Sequence, residues 1–158
     1  MFKINDHVIY NHEVCKIIDI TKRNNREYYS LVPLSDDSLK INIPTDNINN
    51  IKKLISKKYA LELIDNIKNI NPIDIDNKQI EAEYKKLLHS NNHEDLVKII
   101  KTTYLRNEIR NNNKKKLSDT DQHYFLLAEK YLYNELSVVL DMSCKEVKEY
   151  IIKKMEDN

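Results

Sequence analysis

The sequence predicts an α+β protein in which a small antiparallel β-barrel precedes an all-helical part of four to five helices. Three observations carry this prediction. The apolar residues of Phe2 to Pro44 fall in short runs of strand length, whereas those after Ile48 recur at helical spacing. Serine and asparagine capping signals punctuate the second region. The chain has no glycine, so asparagine must supply the left-handed backbone that tight turns require.

The strand candidates are Val8-Ile9-Tyr10, Val14 to Ile20, Glu27 to Val32, and Leu39-Lys40-Ile41-Asn42-Ile43. Each is short and rich in β-branched or aromatic residues. Lys22-Arg23-Asn24-Asn25-Arg26 separates two of them and reads as a hairpin turn with asparagine in the left-handed positions. Ser35-Asp36-Asp37-Ser38 is a polar turn, and the alternating run that follows ends at Pro44, which has no N–H for further pairing. Four or five such strands must curl to bury one face, hence the barrel. Tyr10, Ile17, Ile20, Tyr29, Leu31 and Ile43 are its expected filling.

In the helical region Leu54, Ala60, Leu61, Leu63, Ile64 and Ile67 define a first helix, with Ser56 as N-cap and a stop at Asn69 to Pro72. Further helices are expected over Lys78 to Leu88, Glu94 to Arg110, Asp119 to Leu140 and Lys145 to Met155. Asn92 with Asp95, Ser118 with Asp121 and Ser143 with Glu146 mark three of the starts. The expected bundle core comprises Leu61, Ile64, Leu87, Leu96, Ile99 and Ile100, then Leu105, Leu126, Leu127, Tyr131, Leu132 and Leu136. The domains expected are residues 1–52 and 53–158.

Charge narrows the function classes. Lys and Arg number 26 against 25 Asp and Glu, a net +1, so the chain is no polycation. Basic residues concentrate locally at Lys98, Lys101, Arg106, Arg110 and Lys114 to Lys116. Such a stretch either follows a phosphate backbone or is a solvated helix face with its loop. No apolar run approaches the roughly 18 residues of a membrane span, and the N-terminus lacks the apolar core of a signal peptide. A soluble cytoplasmic protein, without membrane contact and monomeric, is expected.

Enzyme chemistry finds no constellation. The two cysteines, Cys15 and Cys144, lack the number and spacing of a disulfide framework or zinc site. His89 and His93 are four apart, but Ser90-Asn91-Asn92 should break the helix that would align them. Without glycine there is no phosphate loop or dinucleotide fingerprint. No catalytic residue, metal or cofactor is assigned, and the chain reads as a binding protein.

The block Phe2 to Tyr10, then Val14 to Ile20, Tyr28 to Leu31 and Ile41 to Pro44, resembles the start of the CarD family of bacterial transcription regulators. Tyr84 to Leu88, Asp95 to Lys101 with Leu105, Lys116-Leu117-Ser118 and Ala128 to Leu136 follow that family's helical domain in order. The resemblance implies a Tudor-like N-terminal barrel, shared with the transcription-repair coupling factor, that joins the β subunit of RNA polymerase through an exposed strand. It implies a helical domain that touches promoter DNA at the upstream edge of the melted bubble and stabilises the open complex.

By position, Lys22, Lys40 and Asn42 are the polymerase-binding candidates, and Ile80, Lys85, Lys86, Arg106 and Arg110 the DNA-binding candidates. Two departures stand out. Glu13, in a loop one residue shorter, occupies the place where the family usually has glycine. The family's tryptophan wedge is absent, with Ile80 at its position and Glu81 and Glu83 beside it where basic residues are usual. Ile80 is either an apolar wedge or a core residue. The alternative function is a polymerase-bound adaptor whose helical domain holds another protein and leaves DNA alone.

Overall fold

The computed structural model describes residues 1–47 and 49–157; Ile48, at the expected change of period, lies outside them. Strands β1 (His7–Tyr10), β2 (Glu13–Arg23), β3 (Arg26–Pro33), β4 (Ile41–Pro44) and β5 (Ile51–Lys53) precede helices α1 (Lys57–Asp65), α2 (Ile80–Leu88), α3 (His93–Asn112), α4 (Asp119–Leu140) and α5 (Cys144–Glu156). A single 3-10 turn at Ile67–Asn69 follows α1. The expected α+β class is observed.

The five strands form one antiparallel sheet in the order β4-β3-β2-β1-β5. It is curved but open, and does not close into a complete barrel. β4 and β5 lie at opposite edges and are only four and three residues long, and β4 ends at a proline, so neither has the length to close the sheet. Curvature instead comes from the long β2–β3 hairpin, whose register shifts between Ile17 and Asp19. That bulge leaves Ile18 exposed while Ile17 stays in the core. β5 carries two lysines in three residues and shows no period of its own; its pairing with β1 creates it.

Both tight hairpins use left-handed residues in place of glycine. Asn24 and Asn25 have φ of 49° and 63°, as a two-residue turn matched to strand twist demands. Asn11 and His12 do the same between β1 and β2, with φ of 53° and 69°. Glu13 is therefore the first residue of β2, opposite Tyr10. The shorter loop is a two-residue turn. The sheet core is Val8, Cys15, Ile17, Tyr29, Leu31, Ile43 and Ile51, with Tyr10 and Ile20 half-buried around it.

The capping signals act as their chemistry requires. Ser143 and Glu146 form a reciprocal capping box at 3.1 and 3.2 Å. Ser56 and Ser118 each accept a backbone N–H of their first turn, and Asn92 accepts from Glu94 rather than Asp95. The α2 helix starts at Ile80, two residues later than expected, because Gln79 makes no side-chain cap. α4 ends at Asp141, whose left-handed φ of 53° again does a glycine's work.

The helical core gathers one stripe from each helix: Ala60, Leu63 and Ile64; Tyr84 and Leu88; Val97 and Ile100; Leu132 and Leu136; Val147 and Ile151. Leu61, Leu105 and Leu126, expected inside, are 39%, 38% and 53% exposed. Each lies off its helix's buried stripe; on α4 that stripe runs Tyr124, Ala128, Leu132, Leu136, and Leu126 is two positions from both Tyr124 and Ala128.

Buried polar groups tie the helices together. Asp121, fully buried on α4, accepts from the Tyr84 hydroxyl of α2 and from Arg106 Nε of α3, both at 2.9 Å. Lys101 Nζ donates to the carbonyls of Ile67 and Ile70 at 3.0 and 2.8 Å, satisfying the end of the 3-10 turn.

The sheet meets the bundle at the β1–β2 turn. Glu13 pairs with Lys130 of α4 at 3.0 Å and accepts from Ser35 at 2.7 Å. His12 stacks on Tyr131 with ring centroids 5.6 Å apart. Just past β5, the N–H of Ile55 donates to Glu135 of α4 at 2.8 Å, and the other oxygen of that carboxylate lies 2.6 Å from His93 Nε2.

Candidate functional site

Two surfaces carry the functional argument: the free edge of the sheet and the basic end of α3. The β5 edge runs directly into the bundle, and Lys52 and Lys53 line an inter-part cavity of about 80 Å³ with Leu88, Leu96 and Tyr131. β4 is the opposite edge, and like β5 it has no strand paired on its outer side among the described residues. Thr45 N donates to Glu27 O at 3.0 Å, continuing the register in which Pro44 faces Tyr28 and Ile43 faces Tyr29. In an antiparallel ladder the hydrogen-bonding pairs alternate. Ile43 and Ile41 therefore point their backbone groups inward, while Asn42 and Pro44 point theirs outward.

Because proline has no N–H, Asn42 offers the one outward donor on β4. Its side chain is held by the Ser30 hydroxyl, which donates to Asn42 Oδ1 at 2.8 Å. Lys40 lies just before the strand and is exposed. Leu34 and Leu39, 42% and 46% exposed, flank the same connection. Lys22 sits elsewhere. It faces Glu27 near the tip of the β2–β3 hairpin, two strands in from the edge.

On the helical side the five DNA-binding candidates do not form one surface. Ile80 is 5% exposed and packed in the helical core. Its side chain is committed to the interior and presents no wedge, because the α2 stripe of Ile80, Tyr84 and Leu87 faces the bundle. Lys85 and Lys86 lie on the opposite, exposed face, with Lys85 Nζ 4.0 Å from Glu81. Arg106 is a structural cation: its Nε is bound to Asp121 and its Nη1 to Asn77 Oδ1, both at 2.9 Å.

Arg110 does face outward. It shares a cleft of about 400 Å³ with Asn77, Asn113, Lys115 and Lys116. Lys114 takes a left-handed φ of 55°, and Lys115 N then donates to Arg110 O at 2.8 Å, folding the loop back over the helix end. Among the described residues none of Arg110, Lys115 and Lys116 pairs with a carboxylate. The sequence marked this stretch as basic. Charge alone could not separate the captive Arg106 and Lys101 from the free Arg110, because the partners Asp121, Ile67 and Ile70 are distant in sequence.

Comparison with protein families is specific for the sheet. Residues 2–55 match the model described as the CarD-like/TRCF RID domain. The N-terminal part is thus similar to a CarD-like RID domain. The model it matches is one that CarD-like proteins share with the transcription-repair coupling factor. The match covers β1 to β5 and ends as the chain enters the bundle. Comparison with curated proteins gives no match for the chain. Among the described residues no helix is long and apolar enough to cross a membrane.

Proposed function

We propose that this CarD-like chain is a transcription regulator that binds the β subunit of RNA polymerase through residues 1–52 and meets promoter DNA through the helical part, residues 53–158, stabilising the open complex. The observation that carries the reading is the RID match over residues 2–55. The geometry adds a route: β4 is an unpaired edge onto which a partner strand can add, using main-chain hydrogen bonds. The chain acts by binding and not by catalysis.

The edge is testable at one atom. Asn42→Pro removes the outward N–H of β4 without touching an inward hydrogen bond, whereas Asn42→Ala removes only the Ser30 contact. Binding to the isolated polymerase β lobe should fall at least tenfold for Asn42→Pro and stay near wild type for Asn42→Ala. Equal affinities would exclude β4 as the docking edge.

DNA contact rests on the free cations at the end of α3. Changing Arg110, Lys115 and Lys116 together to alanine should weaken binding to a fork-junction duplex and flatten its salt dependence by about two to three units of slope. The adaptor reading is favoured by a specific observation: the α2 face carrying Lys85 and Lys86 also exposes Glu81, and Ile80 is buried. No salt-dependent DNA binding, together with intact lobe binding, would select the adaptor.

A further inference from the structure

The joint between sheet and bundle contains a pair of imidazoles that neither surface uses. His12, second residue of the β1–β2 turn, and His89, C-cap of α2, are 77 residues apart in sequence, yet His12 Nε2 lies 3.4 Å from His89 Nδ1. That is long for an N–H···N hydrogen bond. It is, however, the separation of two nitrogens that each stand about 2.1 Å from one tetrahedral zinc, which is about 3.4 Å.

The rings agree independently. Their centroids are 5.2 Å apart at an interplanar angle of 61°. Rings collinear through a hydrogen bond of this length would stand further apart, so the pair is bent, as two ligands of one ion would be. Space for an ion exists beside them. Both histidines line a polar cleft of about 260 Å³ with the amides of Asn11, Asn49, Asn50 and Asn91.

We propose that His12 and His89 bind a divalent transition-metal ion of the zinc, nickel or copper class across the joint, stapling the polymerase-interacting sheet to the bundle. Imidazole pairs suit these ions. Among the described residues no third His, Cys, Asp or Glu gathers with them, so water and amide oxygen complete the shell and the site is a weak one. Lys52 lines the same cleft, and its charge opposes a cation. Burial together with His89 and Lys52 lowers the His12 pKa from its ordinary value, which keeps the ring unprotonated and able to ligate at neutral pH.

The full chain would be titrated with Zn2+ at pH 7.5 by calorimetry and its thermal midpoint followed in parallel, with far-UV circular dichroism confirming that each variant is folded. One equivalent should bind, and the midpoint should rise. His12→Asn keeps a residue that tolerates the left-handed turn; it and His89→Ala should each weaken zinc at least tenfold and abolish the midpoint shift. Lys52→Met should tighten binding several-fold. Zinc affinity unchanged in both histidine variants, absence of binding at millimolar zinc, or loss of binding in His93→Gln alone would each overturn the proposal.

Discussion

The sheet and the bundle are held by different means, and this difference decides what each tolerates. The sheet's interior is almost wholly apolar, its turns are set by local asparagine chemistry, and its polar contacts lie at its rim. The bundle instead threads buried polar groups through its core: Asp121 between Tyr84 and Arg106, Thr102 and Thr103 on their own helix, and Glu135 on the linker, with the half-buried Lys101 on carbonyls beside them. An apolar core degrades gradually as side chains shrink. A buried polar junction fails sharply when one partner is removed, since the other is left uncompensated.

The largest effect is therefore expected in the bundle. Asp121→Ala strands both the Tyr84 hydroxyl and the Arg106 guanidinium and should cost about 3 to 5 kcal/mol. Leu31→Ala in the sheet should cost about 2 to 4 kcal/mol, from lost burial and the cavity left behind. Urea unfolding measures both. The comparison sharpens with the pair Asp121→Leu and Arg106→Met together, which removes the charges instead of separating them and should recover much of the loss. A double variant as unstable as Asp121→Ala alone would show that volume, and not the polar junction, governs that corner.

That contrast also explains what was legible in the sequence. Strand runs, the Asn24-Asn25 turn, the Ser143 capping box and most helix bounds depend on residues within about four positions of one another, so pattern reasoning reaches them. β5, the open edge, the burial of Ile80 and the capture of Arg106 by Asp121 depend on partners 15 or more residues away or on tertiary pairing. Asp121 is a carboxylate near a helix start, as its spacing from Ser118 implies, but the same side chain serves the core. For the candidate site the basic stretch was visible; which of its cations are free was not.

Smaller effects separate local from tertiary support. Ser143→Ala removes one side of the capping box and should cost about 1 kcal/mol. Leu126→Ala, on the exposed side of α4, should change stability by less than about 0.5 kcal/mol. A larger loss at Leu126 would mean that this leucine packs more deeply in the folded chain than its exposure implies.

The smallest effect tests the joint between the two regions through pH. His7 and His12 both have pKa values below the ordinary 6.5, chiefly because burial disfavours their charged forms. Between the lowered folded values and 6.5 the unfolded chain binds more protons than the folded one, so stability rises with pH there. Their contribution is fully present above about pH 6.5 and is lost as pH falls below it. His12→Asn preserves the left-handed turn but removes one of the two titrating rings, so its stability should fall less steeply than wild type on going from pH 7 to pH 5.5. Parallel curves would place the acid sensitivity in His7 and the sheet's own rim. A flatter curve for His12→Asn would place it at the joint, where His12 packs between Tyr131, His89 and Lys52 and where protonation brings positive charges together.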